Sequence, residues 1–192
     1  MQYLIAGEGT PLHDLDTLGC RLVANGGAVV MEPWPPGKTA LYQLRRDSGL
    51  DAVRSTLANA RGIAFTIAGL DDPGAGEAYV IAAHRIRDAA RFRAYSDKVG
   101  AVVQQFKGRF LGRGGDLIPL AGDFSPDRGV VLEFPTAADA VAFYVADAYA
   151  PLLKLRLATV DPGFVIVARS GDLPAEARQV AEDYLRTRTP QR

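Results

Sequence analysis

From residue 1 to residue 171 the chain runs twice through one order of elements, and that order leaves few folds open. In the first pass "QYLIAGE" reads as strand and "PLHDLDTLGCRLVANG" as helix. "GAVVMEPW" and "TALYQLRR" read as strands around the turn "PPGK", "LDAVRSTLANARG" as helix, and "IAFTIAGL" as strand. In the second pass "EAYVIAAHRI" is a strand, and Asp88 then stands where a helix cap belongs. Phe92, Tyr95, Val99, Val102 and Phe106 recur on one helical face, and Gly108 ends it. "RFLGR" and "DLIPLAGD" make a broken strand, and "VVLEF" a short one. Pro135 and Thr136 open the next helix, which Pro151 should kink or break near 146–151, and "GFVIVAR" is the last strand.

Both passes are β-α-β-β-α-β, which points to an internal duplication. Aligning them sets Tyr3 on Tyr79, Gly27 on Gly108, Gln43 on Glu133 and Gly62 on Gly163. The repeats are expected at 1–70 and 77–171, joined by the short linker "DDPGAGE". A tail, 172–192, carries Ala177, Val180, Ala181, Tyr184 and Leu185 on one helical face.

Composition narrows the classes of function. The 22 Lys and Arg balance the 22 Asp and Glu, so no basic field exists to hold a nucleic acid. One cysteine, Cys20, allows no internal disulfide and suits a reducing compartment. No apolar run reaches the roughly 20 residues that span a bilayer, and the start lacks the basic region of a signal peptide. The expectation is a cytoplasmic protein without membrane or nucleic-acid partners. Two histidines and one cysteine, far apart, give no metal spacing, and no cofactor is expected.

"GRGG" at 112–115 invites a phosphate-loop reading. Strand-like residues and Pro119 follow it, not a helix, and it fits no phosphate-loop pattern. The glycines are better read as a bulge or bend. Arg113 then lies in a bent strand. Glu133 alternates with Leu132 and Phe134, so it should face away from the helices, where an inward carboxylate needs a cationic partner. Arg113 is the candidate, either as a structural ion pair or as a catalytic one. His84, in a strand, is read as a general acid or base or as a hydrogen-bonded filler. Trp34 sits in the proline-rich turn "EPWPPGK", a rim or lid if not simply a rigid hairpin.

"AYVIA", "KGRFLGRGG", "VVLEFPT", "AFY" and "YAPLLKLR" together resemble the family known as domain of unknown function 1330, over about 77–170. The resemblance implies the dimeric α+β barrel group of the ferredoxin-like fold, where two four-stranded sheets pair, usually one from each subunit. Here it implies tandem ferredoxin-like repeats forming an intramolecular pseudo-dimeric barrel, plus a C-terminal helix. A ferredoxin-like sheet leaves one face bare, and two bare faces in one chain can cover each other. Where the second half has Arg113 and Glu133, the aligned first half has Glu32 and Gln43. Tyr144 and Arg156 match family positions.

Two readings of function follow. One is a small-molecule enzyme of monooxygenase, isomerase, dehydratase or cyclase type, acting without a cofactor on an aromatic or polyketide-like compound. Arg113, Glu133 and His84 would be catalytic, and Tyr79, Tyr144, Arg156 and Trp34 would bind substrate. The other is a non-catalytic ligand-binding or structural barrel. A cavity between the two sheets would favour the enzyme, and a filled barrel would not. A homodimer through outer surfaces or the tail helix is compatible with both.

Overall fold

In a computed structural model the chain is described at all residues except 45–48, 61, 116, 125 and 189–192, with the backbone only at Leu12 and His13. The first half comprises β1 (Gln2–Gly7), α1 (Leu12–Thr17), β2 (Cys20–Ala24), β3 (Ala28–Glu32), β4 (Thr39–Leu44), α2 (Leu50–Leu57) and β5 (Ala64–Ala68). The second comprises β6 (Ala78–Ile86), α3 (Ala89–Ser96), α4 (Val99–Gln105), β7 (Arg109–Gly114), β8 (Ile118–Ala121), β9 (Arg128–Phe134), α5 (Ala137–Val145), α6 (Ala150–Thr159) and β10 (Val160–Ala168). The tail is α7 (Ala175–Arg188). No helix among the described residues is long and apolar enough to cross a membrane.

The caps follow the chemistry of their residues. Asp88 accepts a hydrogen bond from the Arg91 N–H, and Thr136 accepts one from the Asp139 N–H. The expected break at Pro151 separates α5 from α6, with the proline in the first turn of α6. The long helix expected over 11–26 is wrong. Only α1 is helical; Gly19, at φ 77°, turns the chain, and "CRLVA" is β2. The helical face from Phe92 to Phe106 is likewise shared by two helices, α3 and α4.

Two five-stranded antiparallel sheets result, ordered β2-β4-β1-β5-β8 and β3-β10-β6-β9-β7. Four strands of each sheet come from one half in ferredoxin-like order, and the fifth is donated by the other half. β3 joins the second-half sheet at β10, and β8 joins the first-half sheet at β5. The break between β7 and β8 is therefore a change of sheet.

The two sheets repeat each other in register. Tyr3 opposes Gln43 as Tyr79 opposes Glu133. A bulge falls between Leu22 and Ala24, and again between Phe110 and Gly112. Another falls in the pairing of each donated strand. These registers correct the alignment made from sequence. Gly19, not Gly27, precedes the strand equivalent to that following Gly108; Asn25, not Glu32, matches Arg113; and Gly163 matches Ile63 rather than Gly62.

Inward residues of both sheets, among them Tyr3, Ile5, Leu41, Phe65, Ile67, Tyr79, Ile81, Leu111, Val131 and Val165, form one buried cluster without helix residues. The barrel interior is packed side chain, and the sheets meet closely where glycine allows it. A Cβ on Gly112 would lie 2.9 Å from the Ala68 carbonyl oxygen, and one on Gly129 2.6 Å from Ile67. Gly112 of "GRGG" thus serves sheet contact and stands at the end of the bulge. Outside the barrel, each sheet carries its own layer of helices.

Candidate functional site

Alternation along β6 sends Tyr79, Ile81 and Ala83 into the barrel and Val80, Ala82 and His84 toward the helices. His84 pairs in register with Arg128 on β9. Arg113 on β7 pairs with Val130, two residues along the same face of β9. Three adjacent strands therefore present His84, Arg128 and Arg113 side by side beneath α3, α4 and α5.

This placement overturns the expected Arg113–Glu133 pair, because Glu133 points to the opposite face of the sheet. The bulge at Leu111 is the cause. It adds one residue to β7 and reverses the alternation beyond it, so Arg109 shares the face of Glu133 and Arg113 does not.

The cleft holding this row lies between the second-half sheet and its helices, not between the two sheets. Phe92, Tyr95, Phe110, Phe143 and Phe164 supply rings to its walls. It encloses about 420 Å³ including its open mouth, and its walls stand so close that a ligand must displace side chains to enter.

Behind His84 lies a buried polar network. Arg156 on α6 is fully buried and forms an ion pair with Glu32 of β3, the strand donated by the first half. The Tyr144 hydroxyl donates to the same carboxylate oxygen at 2.7 Å. Burial, then the Glu32 charge, raise the pKa of Tyr144, which keeps this proton in place. The Tyr95 and Tyr149 hydroxyls lie 3.4 Å apart, with both rings about 6 Å from the Arg156 guanidinium. Two buried atoms of the network, Glu32 Oε2 and Arg156 Nε, have no hydrogen-bond partner among the described residues. Sequence reasoning brought Tyr144, Arg156 and His84 forward but missed Glu32. Its one signal was a charged residue ending the apolar strand "AVVME".

His84 Nε2 lies 3.5 Å from Arg156 Nη1. A guanidinium only donates, so Nε2 is the acceptor and the neutral ring carries its proton on Nδ1. Burial and the Arg156 charge push the His84 pKa well below the usual histidine value, against an opposite pull from the Ala83 backbone. Near neutral pH the His84 ring is thus held in its neutral form. The unfolded chain binds the His84 proton more readily than the folded one, so stability falls as pH drops below about 6.5 and this group contributes no slope above it. The expected slope is about 1.4 kcal/mol per pH unit down to the folded pKa. Urea titrations at pH 7.5, 6.0 and 5.0 should show a shallower acid loss in His84→Asn. Parallel curves for the variant and the parent would refute the buried neutral histidine.

At one end of the barrel, Glu133 is held in a second polar cluster. Its Oε1 accepts from the backbone N–H groups of Gly74 and Gly76 at 2.8 and 3.2 Å, and from Tyr79 Oη at 3.3 Å. Arg109 Nε donates to Oε2 at 2.7 Å, and Arg169 lies 3.6 Å from Oε1. Arg109 also pairs with Asp71 and donates to the Asp72 carbonyl. The linker is thereby tied down across the barrel end, and Tyr79 and Glu133 belong to that latch. Arg109→Ala should cost roughly 2 kcal/mol of stability, the scale of a hydrogen bond to a charged group. Arg113→Ala should cost under about 1 kcal/mol. Equal losses in urea unfolding would overturn this division. Trp34 stands apart from both sites; its Nε1 donates to Thr39 Oγ1 at 2.9 Å and its ring tilts against Phe124.

Two opposed antiparallel sheets with outer helices place the molecule among the α+β barrel proteins, with both sheets supplied by one chain. Within it, residues 77–170 match the model of the family described as domain of unknown function 1330 (DUF1330). No curated protein matches the chain. Among solved structures, a protein of unknown function from Rhodopseudomonas palustris is 20% identical over 52% of this chain and 95% of its own, with a TM-score of 0.42. A monooxygenase-like protein from Lactobacillus acidophilus is 8% identical, covering 88% and 94%, at 0.45. A heme-binding protein from Thermus thermophilus is 11% identical, covering 96% and 94%, at 0.44. None of these likenesses bears on chemistry.

Proposed function

We propose that the cleft between the second-half sheet and its helices is a small-molecule active site that polarises a carbonyl of a flat aromatic or polyketide-like compound. The observation that carries this reading is His84, buried in the cleft wall, with its pKa held well below the histidine norm by burial and by the Arg156 charge. A neutral imidazole N–H in an apolar site stabilises the oxyanion that forms when hydroxide entering at the cleft mouth takes the proton from the carbon beside a carbonyl and leaves as water. The ring-lined walls favour a flat ligand. Arg156 acts through His84 by holding its tautomer, and Glu32 and Tyr144 hold Arg156.

A second reading, a non-catalytic binder of the same ligand, is favoured by two features: the space between the two sheets is filled with side chains, and no carboxylate lines the cleft among the described residues. The two separate in one experiment. A small molecule recovered by native mass spectrometry is returned to the protein in deuterated water. An enzyme should exchange hydrogen beside the carbonyl, and His84→Phe should still bind but lose at least about 100-fold in exchange, the scale of one lost oxyanion donor. Binding without exchange supports the binder. A folded protein that retains no small molecule and accepts none would end both readings.

A further inference from the structure

We propose that the mouth of the cleft is a carboxylate anchor, in which Arg113 and Arg128 together hold the anionic end of an aromatic acid. This names the ligand class of the site proposed above and rests on that reading.

The two guanidiniums are brought together by the fold. Arg113 and Arg128 stand diagonally on neighbouring strands, on the same face, and both line the cleft. Each is steadied against a ring of the cleft wall. Arg113 lies 5.1 Å from the centroid of Phe110, and Arg128 lies 5.6 Å from that of Phe92. An arginine set over a ring keeps its in-plane N–H groups free, and that edge is the one that matches a carboxylate. Arg113 spends one N–H on the Ser96 carbonyl at 2.7 Å, which fixes the fork further.

Among the described residues, no ion pair involves either arginine. Of the wholly or partly buried arginines, Arg109, Arg156 and Arg169 each meet a carboxylate, whereas Arg113, Arg128 and Arg178 meet none among the described residues. Burial and the nearby Arg113 charge lower the pKa of Arg128. Two like charges held close in a half-buried mouth are relieved by one anion placed between them. Further in, the charges of Arg156 and Glu32 offset each other and His84 is neutral, so the positive potential is concentrated at the mouth. A bound acid would set its carboxylate on the arginines and its ring among Phe92, Phe110 and Phe164, reaching toward His84.

Benzoate and benzamide test this, because they share a shape and differ in charge. Binding is followed by chemical-shift changes of the cleft residues in the full-length protein. Benzoate is expected to bind at least about tenfold tighter than benzamide. The preference should shrink in Arg113→Gln and in Arg128→Gln, vanish in the double variant, and weaken with added salt. Arg113 and Arg128 sit at the cleft mouth, so thermal melts of the variants should match the parent; if the double variant unfolds, the single variants carry the test. Equal affinity for the two probes, or a benzoate preference that survives both single substitutions, overturns the anchor and leaves the cleft reading intact. Binding of neither probe at millimolar concentration by the folded protein overturns the anchor and the cleft reading together.

Discussion

Glu32→Ala is expected to remove about 3–5 kcal/mol of folding stability, because it leaves a fully buried guanidinium without its counter-charge. A domain of this kind holds only about 5–15 kcal/mol in total, so the variant should be partly unfolded at 37 °C. Glu32→Gln keeps the shape and can still accept from Tyr144 and Arg156, so it should lose less. The double change Glu32→Leu with Arg156→Met removes both charges and should recover most of the loss. Urea unfolding of the four proteins decides the matter. A loss under about 1 kcal/mol in Glu32→Ala would mean that the pair is solvated, as surface pairs are.

Cutting the chain within 71–77 is expected to abolish folding of both pieces. The first-half piece would expose Tyr3, Ile5, Leu41, Phe65 and Ile67 and lose the strand β8. At about 1.5–3 kcal/mol per large apolar side chain, that is on the order of 10 kcal/mol, as much as a domain has. The second-half piece loses β3 and with it Glu32. Dimerisation would not rescue its polar network. In a symmetric dimer β8 would fill the place of β3, and by register Ala121 would stand where Glu32 does. Arg156 would then be buried without a carboxylate. Mixing or co-expressing the two pieces should restore the native circular dichroism. A cooperative thermal transition in either isolated piece, as a monomer, would show that the halves do not depend on each other.

The fold was legible because β-α-β-β-α-β depends on local patterns, and those patterns recur. What failed has identifiable physical causes. Leu12, Leu15, Leu18 and Leu22 are spaced as one helical face, so "CRLVA" read as helix; Gly19 at positive φ interrupts it. A bulge or bend was expected from the glycines of "GRGG", and a bulge lies between Phe110 and Gly112, but its consequence is geometric: one extra residue turns every later side chain over. Strict alternation carried through that bulge placed Arg113 with Glu133, and the true partner, Arg109, lay four residues upstream. The cleft was half legible. His84 stood out as a polar group in an apolar strand, and Tyr144 and Arg156 as positions shared with the family the second half resembles. Glu32 did not, because its partner is 124 residues away and nothing local tells which sheet β3 will join.

The donated strands also set a timetable for synthesis. β3 leaves the ribosome early, yet the strand it pairs with, β10, begins at Val160. For most of translation the segment "AVVME" is an unpaired apolar edge that ends in a carboxylate without a counter-ion. The first-half sheet is likewise incomplete until β8 has emerged. Long-range pairing of this kind makes folding slow and leaves sticky edges exposed on the nascent chain. The last strand to be made thus locks the first ones in place, and a ribosome stalled anywhere before Val160 would hold a chain that cannot finish either its second sheet or its buried ion pair.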